Sequence, residues 1–266
     1  MNSLPLSILC LATLAGTSLA QLTKVEPVLS ERPPRPFSNK VEEGTAWTMT
    51  LVSVSEYRAK HAPESFKRDA VREANDAKFA SSTVKRIDNA YSSGIRKETL
   101  FFADGSKLTR FVTRERVLYE DRKTGRPVLE SHEGTLSGAV SGVDRLKELK
   151  WVSEKYYAGV ATYEGRPCYV YRKYAPDQGA PGNGEGEAPA GAALSELANA
   201  RGARIIETAF IDRATMNPVA HETILGVHYY TSRPFASFTL PASLDAAMKK
   251  EAAEAALMKQ RYEIRQ

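Results

Sequence analysis

Residues 95–112 read IRKETLFFADGSKLTRFV. Two runs rich in β-formers, Ile95–Phe102 and Lys107–Val112, flank Ala103-Asp104-Gly105. Asp-Gly places glycine where the backbone needs a positive φ, so the runs pair as a tight antiparallel hairpin. The same logic extends outward. Arg116–Glu120 follows, Lys123-Thr124-Gly125 supplies another turn, and residues 82–88 precede. In 45–54, Trp47, Met49 and Leu51 alternate with threonine, the pattern of a half-buried strand. Residues 156–163 and 167–174 surround Glu164-Gly165-Arg166 as a further hairpin, and strand signals return at 203–211, 218–226 and 227–231.

These spacings predict an α+β domain with an antiparallel β-sheet of roughly eight to eleven strands. Helices are expected over 63–80 and in a C-terminal segment. Residues 143–152 read as a short amphipathic helix, and 133–142 as a small-residue loop. In the tail, Ser243 is placed to cap a helix whose Leu244, Met248, Ala252, Ala255, Met258 and Tyr262 form one narrow apolar stripe that docks on the domain. The division is then 1–20 signal peptide, 21–44 proline-rich extended leader, 45–241 sheet domain and 242–266 tail helix. A Gly/Pro-rich insertion at about 175–202 has too little apolar content to offset its ordering entropy.

Residues 1–20 contain no charged side chain or histidine, and 4–14 is nearly all apolar, ending on Ser18-Leu19-Ala20. That is the pattern of a secretory signal cleaved near Ala20 and too short to span a bilayer. Cys10 lies in mid-core behind Ser7-Ile8-Leu9, without the small residue that precedes a lipidated cysteine. The expectation is an exported, periplasmic or secreted protein, soluble after cleavage. The mature chain keeps one cysteine, Cys168, so it makes no internal disulfide. Residues 58–126 carry 17 Lys or Arg against 10 Asp or Glu, which reads first as a solvated surface and second as attraction to an anionic partner.

Catalytic signatures are missing. His221-Glu222 opens like a zinc-protease helix, but no second histidine follows four places on and the region is strand-like. His221 and His228 face opposite sides of a continuous strand; only a turn near Gly226 brings them together, and no metal site is expected. The serines of the Ser137-Gly138 and Ser141-Gly142 pairs lack nucleophile-elbow spacing. Cys168, in a strong strand, reads as a small apolar filler. There is no phosphate-binding or dinucleotide glycine motif, so neither an enzyme nor a cofactor is expected. Eight tyrosines crowd the later strands (Tyr156, Tyr157, Tyr163, Tyr169, Tyr171, Tyr174, Tyr229, Tyr230). Adjacent aromatics put a ring on each face, so the sheet is expected to be apolar on both sides.

Residues 156–241 resemble the later strands of the LolA-like lipoprotein-carrier superfamily. The carrying stretches are YEGRPCYVY at 163–171, FIDRATMNPV at 210–219, GVHYY at 226–230 and FTLP at 238–241. The resemblance implies a curved antiparallel β-sheet, unclosed and half-barrel-like, whose helices cover the concave side, with acyl chains held between sheet and helices in several members. It makes non-catalytic binding of an apolar or amphiphilic, lipid-like ligand in the cell envelope the expected function. Trp47, Met49, Phe101, Phe111, Tyr169 and Tyr171 are the candidate cavity residues. The alternative is an envelope scaffold or protein-interaction domain with a fully packed core. Expected partners are accordingly a lipid or other amphiphile, or an envelope protein; nucleic acid and a transmembrane span are not expected.

Overall fold

A computed structural model describes residues 25–29, 33, 35–61, 74, 77–131, 143–175 and 205–263. The signal segment expected at 1–20, most of the helix expected over 63–80, the loop expected at 133–142 and nearly all of the insertion expected at about 175–202 lie outside the described residues. Among the described residues, eleven strands form one antiparallel sheet. They are β1 (Thr45–Ser53), β2 (Val84–Ser92), β3 (Ile95–Phe102), β4 (Lys107–Val112), β5 (Arg116–Glu120), β6 (Pro127–Ser131), β7 (Tyr157–Tyr163), β8 (Arg166–Tyr174), β9 (Ile205–Asp212), β10 (Pro218–Thr223) and β11 (Gly226–Arg233). Their order is β6-β5-β4-β3-β2-β1-β11-β10-β9-β8-β7, two meanders joined by the β1–β11 pair. The sheet is unclosed, with β6 and β7 at its ends. No helix among the described residues is long and apolar enough to cross a membrane.

Two helices pack on one face of the sheet. The first, α1 (Val54–His61), starts in a capping box: Glu56 N–H donates to Ser53 Oγ (3.3 Å) and Ser53 N–H donates back to Glu56 Oε2 (2.9 Å). Its Tyr57 joins Val170, Phe210, Cys168 and Val227 in a buried cluster. The second, α2 (Ala242–Glu263), lays Leu244 and Met248 against Phe111, Leu118 and Leu129 of β4–β6. The expected docked stripe stops there, because Leu257 and Met258 are more than half exposed. Ser243 does not cap α2; its hydroxyl donates to Glu120 Oε1 on β5 (2.6 Å).

The opposite face is covered by residues 143–156. Instead of the expected α-helix, the segment forms 3₁₀ turns at Lys147–Leu149 and Glu154–Tyr156. Its apolar residues explain the difference. Val143, Leu146, Leu149 and Val152 recur every third residue, the period of a 3₁₀ helix, and all four pack into the core. Arg96 holds this strap by donating from Nη1 to the Arg145 carbonyl (3.1 Å), while its Nε pairs with Glu98 (2.7 Å).

The leader is not a loose tether where it is described. Val28 pairs with Val160 on the β7 edge through two backbone hydrogen bonds (2.8 and 2.9 Å), and Arg172 Nη2 donates to the Val25 carbonyl (2.7 Å). That covers an otherwise bare edge strand. Gly159, at φ +130°, lets Val28 approach; a Cβ there would sit 2.5 Å from the Val28 carbonyl oxygen.

Candidate functional site

Ladder register decides which candidate residues share a face. Met49 opposes Tyr230, and Tyr169 and Tyr171 oppose Ile211 and Ala209. Trp47, Met49, Tyr169 and Tyr171 therefore all point beneath the strap, where they meet Leu149, Val152 and Tyr230 in one buried cluster. Phe101 and Phe111 do not join them. Trp47 opposes Asn89 and Asn89 opposes Glu98, so the odd-numbered Phe101 of the same strand points to the other face, and Phe111, opposite Lys97, goes with it. There, Phe111 packs under α2, and Phe101 stacks beneath the Arg86 guanidinium, 3.8 Å from its ring centroid. The six residues do not line one cavity.

Between the two helices, the helix face of the central strands is polar. Thr48 donates to Asp88 (2.9 Å), which also pairs with Arg233 (2.7 Å), and Thr99 bonds to Thr109 (3.2 Å). The space beneath the strap is filled by side chains, with Leu149 fully buried and Trp47 8% exposed. Open volume is found instead where the strap face ends. A cleft of about 530 Å³ lies between the leader, the start of β1, the β9–β10 turn and the end of β11. Trp47, Tyr230 and Met216 supply its apolar and aromatic surface, and Arg35, Lys40 and Glu42 its charges.

The sequence builds this cleft through local chemistry. Asp212 Oδ1 accepts the backbone N–H groups of Ala214 (3.0 Å) and Thr215 (2.8 Å) and the Thr215 hydroxyl (3.0 Å). This Asx turn carries Met216, at φ 60°, to the cleft wall. Burial works against the charged Asp212, but the hydrogen bonds from Thr215 and Ala214 outweigh it and hold the carboxyl below its ordinary value. Tyr230 donates to Glu148 Oε1 on the strap (2.9 Å), and burial together with that carboxylate pushes its phenol well above the usual range. Met216, Tyr230, Arg35 and Lys40 were absent from the sequence-based candidates. Their positions depend on a turn and a leader docking beside β1, which period-2 patterning does not reveal.

A polar cluster occupies the other end of the same face. Glu207 accepts from Lys173 Nζ (2.8 Å) and from His221 Nε2 (2.9 Å). The His221 ring neighbours His228 and Trp151, at centroid distances of 5.7 and 6.1 Å. The hairpin that turns at Ile224-Leu225 sets His221 opposite His228, so the two histidines share a face after all. Burial and the adjacent His221 hold the His228 pKa below its ordinary 6.5. Burial alone would raise Glu207, but hydrogen bonds from His221 and Lys173 outweigh it and keep it below 4.5.

Both groups bind fewer protons folded than unfolded, so both make the protein less stable in acid. Folded His228 resists protonation, and stability is expected to fall as the pH drops through 6.5. The Glu207 contribution is lost at lower pH, as that carboxylate protonates at its folded value below 4.5. Melting midpoints measured between about pH 8 and about pH 5 should decline toward acid, with a shallower decline in His228→Gln. A midpoint that rises toward acid contradicts this assignment. Elsewhere, Cys168 is fully buried, and burial pushes its thiol up to about 11, which suits an unreactive core residue.

Compared with known proteins, the chain matches no protein-family model, no curated protein and no solved structure.

Proposed function

We propose that this chain is an exported, non-catalytic binding protein of the cell envelope, and that it holds an amphiphile in the cleft at the rim of the strap face. The observation that carries this reading is the cleft itself. Its volume of about 530 Å³ falls inside the range of small-molecule sites, and Trp47, Tyr230 and Met216 line it beneath two cations. Trp47, Tyr230 and Met216 give an otherwise polar cleft a patch that suits an aliphatic tail, while Arg35 and Lys40, set beside a single carboxylate at Glu42, suit an anionic head. Lys40 meets Asp144 at a long 4.0 Å and its side chain is 62% exposed, so its ammonium can face a ligand in the cleft. The resemblance to lipoprotein carriers supports the ligand class but not the place, because the space inside the fold is taken up by side chains.

Trp47 makes the reading measurable. The chain has two tryptophans, so Trp151→Phe leaves Trp47 as the sole indole. A bromine-labelled fatty acid is expected to quench it saturably. Arg35→Glu with Lys40→Glu should weaken that binding several-fold at low salt, and less as salt screens the charges. Absence of quenching, together with native mass spectra of protein from its own host that show no small-molecule adduct, would discard the ligand-binding reading. The scaffold or protein-interaction alternative would then stand, supported by the filled interior and by the exposed Leu257 and Met258 on α2.

A further inference from the structure

We propose that His221 and His228 form a two-histidine site for a transition-metal ion of the Cu²⁺ or Zn²⁺ class. The site lies apart from the cleft and does not depend on the amphiphile reading. Four observations carry it.

The first is register. His221 and His228 are directly opposed on neighbouring strands, which places their Cβ atoms about 5 Å apart on one face. The second is ring geometry. An ion about 2.0 Å from one nitrogen of each imidazole lies about 3 Å from each ring centre, so a shared ion requires centroids about 5 to 6 Å apart. The observed separation is 5.7 Å, with the rings inclined at 78°.

The third observation concerns the nitrogens. Nδ1 of His221 and Nδ1 of His228 are both buried without a hydrogen-bond partner, and the His221 side chain is 3% exposed. Nε2 of His221 donates to the Glu207 carboxylate, which can only accept, so in a neutral His221 ring the lone pair lies on Nδ1. A buried ring nitrogen that carries a lone pair and has no partner calls for a donor or a cation. The fourth observation is Glu207 itself. A carboxylate behind a ligating histidine fixes its tautomer and raises its basicity, as such outer-sphere partners do in metal sites.

The surroundings fit a site that is covered rather than open. The Trp151 ring lies over His221, and Lys173 sits 6.0 Å from the Trp151 centroid while balancing the charge of Glu207. Among the described residues, no three His, Cys, Asp or Glu side chains converge on one point. The protein therefore supplies two imidazoles, and the remaining coordination positions are open to water or a small ligand. Imidazole pairs suit copper and zinc, and copper binds most tightly in the divalent series.

The test is a Cu²⁺ titration of chelator-treated protein by calorimetry, with Trp47→Phe as background so that Trp151 is the only tryptophan. The expected result is one tight equivalent of Cu²⁺ with quenching of Trp151. Glu207→Gln should weaken binding about 10- to 100-fold. His228→Gln should lose the tight equivalent, and His61→Gln should keep it. Affinity should also fall as the pH drops and imidazole protonates. Paramagnetic resonance of the Cu²⁺-loaded unmutated protein should show two imidazole nitrogens, a readout that stands even if His228→Gln fails to fold. No stoichiometric binding would mean that water bridges the pair and would overturn the proposal. So would unchanged binding in a folded His228→Gln, or a copper signal without imidazole nitrogens.

Discussion

Gly226→Ala is expected to cost about 3 kcal/mol or more, through backbone strain and overpacking together. Gly226 opens β11 at φ +149°, a region that residues with a Cβ essentially avoid. An added Cβ would also press against the Val52 carbonyl oxygen and the Ser53 Cα, and that neighbour is backbone of the paired strand β1. A flexible side chain could move aside, but this ladder cannot. The melting midpoint should drop by about 6 to 12 °C for a chain of this size. A variant that melts with the parent protein would show that β1 and β11 are not paired in this register. The substitution also disturbs the hairpin that aligns His221 with His228, so copper binding should weaken with it.

Phe210→Ala is expected to destabilise the fold by about 3 to 5 kcal/mol. The ring is 1% exposed, lies 4.1 Å from the Tyr163 ring and touches the cluster formed with Tyr57, Val170 and Val227. Both faces of β9 are covered, since Ala209 and Ile211 are fully buried on the strap side. The surroundings therefore have little room to collapse into the space left. Chemical denaturation should show the loss as a lower midpoint. Thr50→Ala, at an exposed position of β1 on the same face, should change stability by no more than about 0.5 kcal/mol. Equal effects from the two would contradict the burial assigned to Phe210.

The elements legible in the sequence are those whose signal is local. The hairpin at 95–112 forms with the expected bounds, because Asp104-Gly105 specifies the turn and the flanking runs specify the strands. Two elements were missed although their cues were printed in the chain. Ser53-x-x-Glu56 is a capping box that starts α1, but strand-like Val52 and Val54 obscured it. Pro127–Ser131 has only two apolar residues and reads as strand β6 only once its partner β5 is known. The 143–152 segment has the composition of a short amphipathic helix, but its apolar spacing of three suits the 3₁₀ strap that it forms.

The candidate site was less legible, for a definite reason. Period-2 alternation tells which residues of one strand share a face, but pairing register relates one strand to the next. Trp47, Met49, Tyr169 and Tyr171 met beneath the strap, whereas Phe101 and Phe111 turned to the helix face. Parity along the chain likewise separated His221 from His228, and the two-residue turn between their strands reversed that outcome.

By itself, the sequence determined the class of this protein: an antiparallel sheet with both faces buried at its tyrosine-rich end, built from turns that Gly, Asp and Asn impose locally. Those choices are made within a few residues, where φ preferences and side-chain hydrogen bonds act. Tertiary structure alone decided where open space lies and which polar groups meet. The cleft forms because residues 35–42 dock beside β1 and the Asp212 turn, and the histidine pair forms because β10 folds back on β11. Both depend on contacts between segments far apart in the chain or reversed in direction, which residue patterning along one strand does not encode.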